Sequence, residues 1–387
     1  MKLIHLADLH LGKSVNKFPM LEDQKYILDE ILKMIEEEKA QVVMISGDIY
    51  DVGIPPVGAV ELFDSFLTSL SKMNLSVCII SGNHDSAERI AFGSKLMEKS
   101  NIFISQLYDG NVQPLVFVDE YGSVNIYMLP FIKPVHVKQA FGEEAENIHT
   151  YTQACELAIK KMGVNPKNRN ILMAHQFVSG ALTCDSEEIN VSVGGLDNID
   201  AKIFKDFDYV ALGHLHGPQK ILREGIRYAG SPLKYSFSEA NQKKSLCVIE
   251  IGNKEKECQL KIELKDLLPL HDMKNLKGSY EQIMSKSFYK DLNLEDYYHI
   301  TLTDEVDVPE GFARLRTVYK NLMTMDYDNS RTQNNSSVQL EGPVNIENTS
   351  PLSAFKDFFK LQNNKEMSEE QEKIVADLVE KLFEEEK

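Results

Sequence analysis

From its first residues the chain alternates apolar runs of strand length with stretches whose apolar residues recur at helical spacing. Residues 2–6 read as a strand, Ile27, Leu28, Ile31, Leu32 and Ile35 repeat every three or four positions, and residues 41–46 form a second apolar run. A second helix opens after Pro55-Pro56 and carries Phe63, Phe66, Leu67 and Leu70 on one face; residues 76–81 make a third strand, and another helix begins near Ser86. The order is βαβαβ, and the strands are apolar on both faces, as they are when each side is covered. Further strand-like runs stand at 112–118, 124–129, 170–174, 208–212, 226–229, 245–251 and 258–264, with one helix around 147–162. The pattern predicts a mixed α/β sandwich over residues 1–265.

After Leu267-Leu268-Pro269 the rhythm changes to helix (280–287), strand (299–302), a helix opening at Pro309, and strand (322–325), which predicts a small α+β domain over 266–328. A polar tract rich in Asn and Ser predicts a linker over 329–344. Residues 345–387 hold two short amphipathic segments, one with Leu352, Phe355, Phe358, Phe359 and Leu361, the other with Ile374, Val375, Leu378 and Leu382. A helix pair this short cannot bury its stripes alone. It is either a hairpin docked on its own domain or a module that binds a partner.

Composition narrows the class. The 387 residues are 43% hydrophobic and 26% charged, values of a globular chain with a sizeable core and not of a collagenous, disordered or membrane protein. No run of apolar residues is long enough to span a bilayer, and the start lacks the succession of a signal peptide. Cys78, Cys155, Cys184, Cys247 and Cys258 are scattered, odd in number and without metal-site spacing, which suits reduced thiols and a cytoplasmic chain. The formal charge of −17 argues, at first sight, against nucleic acid.

Candidate chemistry sits in five short motifs: Asp8-Leu9-His10, Gly47-Asp48-Ile49-Tyr50-Asp51, Gly82-Asn83-His84-Asp85, Ala174-His175 and Gly213-His214-Leu215-His216. Each directly follows an expected strand. The carboxyl ends of strands in α/β sheets form the crevice where ligands bind, so five ends can converge on one site. Taken singly the motifs are weak, since an isolated GNHD also reads as a turn capping the next helix. Together they supply carboxylates (Asp8, Asp48), an amide oxygen (Asn83) and imidazoles (His10, His175, His214, His216), a donor set suited to Mn, Fe or Zn rather than Ca or Cu(I). In extended backbone, residues two apart point the same way, which would aim Asp8 with His10, and His214 with His216, at one side. Seven ligands are too many for one tetrahedral ion; if Asp48 bridges, each of two ions has four, the arrangement used for phosphoester displacement.

In this order the five motifs resemble the calcineurin-like metallophosphoesterases. Longer stretches, among them Ala7 to Lys13, Leu21 to Gln24, Phe207 to Gln219 and Arg227 to Glu239, resemble the SbcD family, the nuclease subunits of bacterial SbcCD DNA repair complexes. The resemblance is specific over about residues 1 to 250 and beyond that concerns layout only. It implies a metallophosphoesterase β-sandwich flanked by helices, with a small α+β capping domain that contacts DNA and a helical tail. It also implies two Mn2+, replaceable by Mg2+, Fe or Zn, one on Asp8, His10, Asp48 and His216 and the other on Asp48, Asn83, His175 and His214. His84 would then act on the transition state or leaving oxygen, with Asp51 orienting it. Archaeal relatives carry His at the position of Asp51, so that role follows from the wider phosphoesterase pattern.

The implied activity is exonuclease action on double-stranded DNA ends and endonuclease action on single strands or hairpins. The implied assembly is a homodimer through nuclease-domain helices, joined to an SbcC-like coiled-coil ATPase as a heterotetramer in the nucleoid-associated cytoplasm. The tail helices would dock on that ATPase, which alone would bind ATP, since this chain has no GxxxxGK[ST] loop.

Lys13, Arg89, Lys234 and Tyr235 are candidates to meet DNA, although basic surface residues usually only solvate. His5 reads as a core histidine, and His136, His149, His271 and His299 lie outside any motif. A small-substrate phosphodiesterase or phosphatase, or a scaffold with a decayed metal site, are the competing functions. The charge objection weakens once it is divided: −7 falls in residues 1–265 and −10 in 266–387. Two divalent ions would outweigh Asp8 and Asp48, leaving a site attractive to a phosphodiester on a chain that otherwise repels one.

Overall fold

The computed structural model describes residues 1–185, 198–254, 259–335, 351–363 and 366–384. They divide into two compact units, Met1–Met273 and Lys274–Lys387. In the first, the chain runs β1 (Lys2–Leu6), β2 (Ser14–Val15), β3 (Phe18–Pro19), α1 (Leu21–Glu38), β4 (Val42–Ser46), α2 (Val57–Ser71), β5 (Ser76–Ile80), α3 (Ala87–Ile90), α4 (Ser94–Met97) and β6 (Ile102–Ile104). It continues through β7 (Leu115–Asp119), β8 (Gly122–Met128), α5 (Pro134–Phe141), α6 (Tyr151–Met162), β9 (Arg169–His175), β10 (Tyr209–Gly213), β11 (Gln219–Ile221), β12 (Arg223–Tyr228), β13 (Ser245–Ile251) and β14 (Leu260–Asp266).

Two six-stranded sheets result, ordered β14-β13-β1-β4-β5-β6 and β11-β12-β10-β9-β8-β7. Neighbours from β1 to β6 in the first are parallel, as are β8, β9, β10 and β12 in the second. Leu3, Met44, Cys78 and Ile80 of one sheet share a core with Ile126, Ile171, Met173 and Ala211 of the other. Side chains alternate along a strand, so Ile4, Val43, Ile45 and Ile79 face the opposite way, and they are equally buried. On the far side of the second sheet, Leu172, Leu212 and Ile226 pack with Ala158 and Ile159 of α6. The helix-flanked β-sandwich is therefore as the pattern requires.

Element ends differ from expectation for local reasons. α6 begins at Tyr151 because Thr150 caps it: its hydroxyl accepts the Gln153 N–H at 3.2 Å, and the Gln153 side chain accepts the Thr150 N–H at 3.1 Å. The helix expected from Ser86 is split into α3 and α4, the chain turning left-handed at Gly93 (φ 75°).

The second unit contains β15 (Met273–Gly278), α7 (Tyr280–Met284), α8 (Lys286–Tyr289), β16 (Tyr297–Leu302), α9 (Gly311–Leu315), β17 (Leu322–Tyr327), α10 (Ser330–Asn335), α11 (Pro351–Asn363) and α12 (Glu369–Glu384). Its sheet, β15-β16-β17, packs Tyr298, Ile300 and Leu302 against Ile283, Leu315 and Tyr319. The polar edge strand β15 was not expected, and α9 starts two residues after Pro309. Part of the expected linker is helical, at Ser330–Asn335, and residues 336–350 lie outside the described residues. No helix among the described residues is long and apolar enough to cross a membrane.

Candidate metal centre

β1, β4 and β5 are neighbours in one sheet and β9 and β10 in the other, and the chain leaving each carboxyl end supplies one of the five motifs. The loops are tied together by their backbones. Asp8 N–H donates to Gly47 O at 3.1 Å, His10 N–H to Asp48 O at 3.0 Å and Leu11 N–H to Ile49 O at 2.9 Å. These loops are not extended: φ is 55° at Asp8, 44° at His10, 49° at Asp48 and 109° at His214. The expectation that extended backbone aims the paired ligands is thus corrected, because the chain must turn sharply off each strand. Left-handed backbone at such residues costs about 1–3 kcal/mol each and persists where surrounding bonds fix it. Two glycines make room. A Cβ at Gly47 (φ 88°) would run into the His175 ring, and one at Gly82 into the Asp48 carboxylate.

All seven ligand-type residues converge. His175 Nε2 lies 3.2 Å from Asp48 Oδ2 and 3.0 Å from Asn83 Oδ1, which is also 3.0 Å from His214 Nδ1. On the other side of Asp48, His10 Nε2 is 3.7 Å from Oδ2 and 3.0 Å from His216 Nε2. Asp8 joins through Oδ1, which accepts the His214 N–H at 2.8 Å, and Asp8, His10 and His216 form one compact group of possible ligands. Asp48, His175 and His214 form a second, so Asp48 stands between the two sets. His84 completes a third group with His10 and Asp48; its Nε2 is 4.0 Å from Asp48 Oδ2.

The outer ring nitrogens fix which atoms face inward. His175 Nδ1 donates to Ser46 O at 2.8 Å, leaving a lone pair on Nε2. His10 Nδ1 is 3.4 Å from Asp51 Oδ1 and His216 Nδ1 is 3.5 Å from Glu239 Oε1. With protons on those outer nitrogens, two bare Nε2 atoms meet 3.0 Å apart, an arrangement that repels unless a cation lies between them. The residues present therefore fit divalent ions.

Burial alone would raise the Asp48 carboxyl, but His175 and His10 outweigh it and hold it well below the usual carboxylate range. Burial would likewise depress His175, yet Asp48 lifts it to about 9, so without a cation Nε2 carries a proton and its lone pair is freed only when an ion takes that proton's place. Burial prevails at His10, which is lowered, at His214, lowered to about 3, and at His216, lowered to about 4 despite Glu239. Neutral imidazoles of this kind are metal ligands.

Residues 1–218 match the calcineurin-like phosphoesterase family, and residues 269–363 match the type 5 capsule protein repressor C-terminal domain. The chain is 34% identical over 347 residues to the SbcD component of the nuclease SbcCD from Staphylococcus epidermidis, covering 88% of this chain and 89% of that one. The chain belongs to the SbcD family of calcineurin-like phosphoesterases. A second SbcD relative, from Staphylococcus saprophyticus, is 32% identical over 387 residues, 100% of this chain and 99% of its own. Among solved structures, a Thermus thermophilus protein aligns with TM-score 0.40 and 12% identity over 69% of this chain and 99% of its own. A Danio rerio dimetal phosphatase aligns with TM-score 0.39 and 11% identity over 69% of this chain and 96% of its own.

In this SbcD-family chain several supports of the centre come from outside the five motifs. Glu239, fully buried, bonds Lys244, which also donates to His216 O at 2.8 Å. Gln24 donates to His10 O at 2.7 Å, and the Tyr235 hydroxyl donates to Leu9 O at 2.5 Å. Within the third motif itself, the Asp85 carboxylate accepts three backbone N–H bonds, from Ile49, Tyr50 and Gly82, tying the second and third motifs together.

Asp51 orients His84 with its backbone, not its side chain: His84 Nδ1 donates to Asp51 O at 2.9 Å. Its carboxylate is taken by Lys13 at 2.6 Å and lies beside His10. Those partners outweigh burial and hold it at about 2. Of the proposed DNA contacts, Tyr235 is buried, and Lys234 is bonded to Asp272 at 2.7 Å and to Ala240 O at 2.6 Å, so both serve the interior. Arg89 is exposed. His5 is a core histidine, fully buried, with Nδ1 2.9 Å from the Tyr209 hydroxyl.

Proposed function

We propose that the chain is the nuclease subunit of an SbcCD-like complex, a Mn2+-dependent DNA phosphodiesterase. Its actions would be those of a double-strand exonuclease and of an endonuclease on single strands and hairpins. The observation that carries this reading is Asp48 standing between two sets of inward-facing ligand atoms, with His84 beside both. Relatives named as SbcCD nuclease subunits over the chain's length support it.

One ion would be held by Asp8, His10, Asp48 and His216, the other by Asp48, Asn83, His175 and His214. Two such cations would supply charge neutralisation for a phosphodiester and a water acidic enough to attack it at neutral pH. The chain's own residues do the rest. Because the His84 Nδ1 proton is committed to Asp51 O, its Nε2 is the atom that faces the site, and as the imidazolium the ring hands its Nε2 proton to the leaving oxygen and is left as the Nδ1–H tautomer. Asp51, Ser46 O and Glu239 hold the ligand imidazoles in register.

The assembly has support in exposed apolar surface. Phe355 and Phe358 of α11 and Ile374 and Leu378 of α12 are exposed, which suits docking on a coiled-coil ATPase that binds the ATP. Ile54, Val57 and Val60 around the start of α2, with Phe92 and Leu96 beside and on α4, are exposed as well and suit a homodimer through nuclease-domain helices. The acidic chain would bind DNA weakly without its ions and partner.

The test is to incubate the purified chain with Mn2+, ATP and the ATPase on linear duplex and on covalently closed circles. Degradation of the linear form alone supports the reading. Hydrolysis of cyclic nucleotides with both DNA forms intact refutes it in favour of a small-substrate phosphodiesterase.

A further inference from the structure

We infer that Cys184, His216 and Glu239 form a separate site for a thiophilic divalent cation such as Zn2+, and that an ion there excludes the ion on the Asp8 side of the metal centre; this rests on the two-ion reading above and deepens it into a means of regulation. Each of the three side chains offers one donor atom, and the three atoms lie within 4.8 Å of one another. His216 Nδ1 and Glu239 Oε1 stand 3.5 Å apart. Tetrahedral zinc, with bonds of about 2.0–2.3 Å, sets its ligand atoms about 3.3–3.8 Å apart, so that pair is already at ligand spacing.

Three segments build the site. His216 and Glu239 are buried, whereas Cys184 is half-buried and open to an ion arriving from solvent. The chain on either side of Cys184 is tied to the neighbours of the other two. Leu182 N–H donates to Gln219 Oε1 at 2.8 Å and Leu182 O accepts from Gln219 Nε2 at 2.7 Å, while Asp185 N–H donates to Ser238 Oγ at 3.2 Å. Gln219 follows His216 closely and Ser238 precedes Glu239, so these bonds hold the thiol beside the pair. Glu239 Oε1 is fixed by the Tyr235 N–H at 3.2 Å. Lys244, the nearest cation, is bonded to the other oxygen, Oε2, and is satisfied as well by His216 O and Ser231 Oγ.

Donor chemistry separates the two places. The metal centre offers only oxygen and nitrogen, which suit Mn2+; a thiolate favours Zn2+ and leaves Mn2+, lowest in the affinity order, unbound. Exclusion follows from the shared ring. A neutral imidazole has one N–H and one lone pair. With the proton on Nδ1, the His216 lone pair is on Nε2 and serves the centre. A cation on Nδ1 takes the lone pair to that side: the ring proton passes to Nε2, and the Cys184 thiol proton leaves to solvent. His216 Nε2–H then donates to His10 Nε2 across the 3.0 Å that separates them. The ion held with Asp8 loses both imidazoles at once, so Zn2+ switches the centre off.

The test titrates Zn2+ into the full chain loaded with Mn2+ and follows released Mn2+ by its electron paramagnetic resonance signal. One equivalent of Zn2+ should release one Mn2+ per chain from the wild type. In parallel, Cd2+, which gives an ultraviolet charge-transfer band when a thiolate binds it, should produce that band. Cys184→Ser should still take up two Mn2+, which shows that it folds. It should lack the band at one equivalent of Cd2+ and need at least about tenfold more Zn2+ for the same release, the low end for weakening a metal site. Equal release from both proteins, or a band formed with both Mn2+ ions retained, overturns the inference while leaving the two-ion reading intact. A wild type that takes up no Mn2+ overturns that reading, and the exclusion with it.

Discussion

Replacing His84 with alanine separates proton transfer from metal binding. In the structure the His84 ring donates through Nδ1 to Asp51 O at 2.9 Å, and its Nε2 stands 4.0 Å from Asp48 Oδ2 with the side chain 15% exposed. Losing one such bond costs about 1 kcal/mol of stability, so the variant folds. Losing a general acid costs about 10²–10⁴ in rate, equivalent to ~3–5 kcal/mol of barrier. The loss should depend on the leaving group. A DNA alkoxide needs its proton, whereas p-nitrophenolate leaves without one, so His84→Ala should lose two orders of magnitude or more on an oligonucleotide and far less on a p-nitrophenyl phosphodiester. Steady-state rates on both substrates, with bound Mn2+ counted in the same samples, decide it. Equal losses on the two substrates, or loss of an ion, would refute the assignment of His84 to proton transfer.

Glu239 is held at about 2 because His216 and Lys244 outweigh its burial. Glu239→Ala should therefore weaken ion binding by about 10–100-fold, as loss of a partner behind a ligand does, and a competition titration with a coloured chelator reads it. His5 is driven by burial from 6.5 to about 3, so it is neutral in the fold. Its contribution is complete above pH 6.5 and falls away as the pH drops toward 3, at ~1.4 kcal/mol per pH unit. Between pH 6.5 and 5 the metal-free wild type should thus lose about 2 kcal/mol more than His5→Gln in urea unfolding, and parallel curves would contradict the burial argument. Deleting residues 345–387 should abolish co-purification with the ATPase and leave Mn2+-dependent cleavage of single strands; retained co-purification would make α11 and α12 purely structural.

The sandwich and the coming together of the candidate ligands were legible because their signals are local. Buried strands are near-continuous apolar runs, and each motif sits within a few residues of a strand end, so sheet order alone brings Asp8, Asp48, Asn83, His175 and His214 together. The supporting roles were not legible, because Glu239, Lys244, Gln24 and Tyr235 lie outside the five ligand motifs and reach the centre only through tertiary packing; three of them fall in stretches that carry the family resemblance, but nothing local tells what they hold. Tyr235, in a run of Lys, Tyr and Ser, reads as a surface residue that could meet DNA, whereas its hydroxyl is buried, donating to Leu9 O and accepting from the Gln24 amide. The left-handed backbone at Asp8 and His10 was hidden for a related reason: it is imposed by bonds to Gly47 O and Asp48 O on the neighbouring strand's loop. β15 escaped notice because an edge strand need not be apolar, and Lys274, Asn275 and Lys277 mask it.

The central claim is that Asp48 serves two ions at once. It is the carboxylate within 3.2 Å of His175 Nε2 and 3.7 Å of His10 Nε2. Equilibrium dialysis against Mn2+ followed by elemental analysis tests it directly. Wild type should hold two ions per chain, Asp8→Asn should retain the ion on the Asn83 side, and Asp48→Asn should weaken both together. Two ions undiminished in Asp48→Asn, or a single ion in the wild type, would contradict the account.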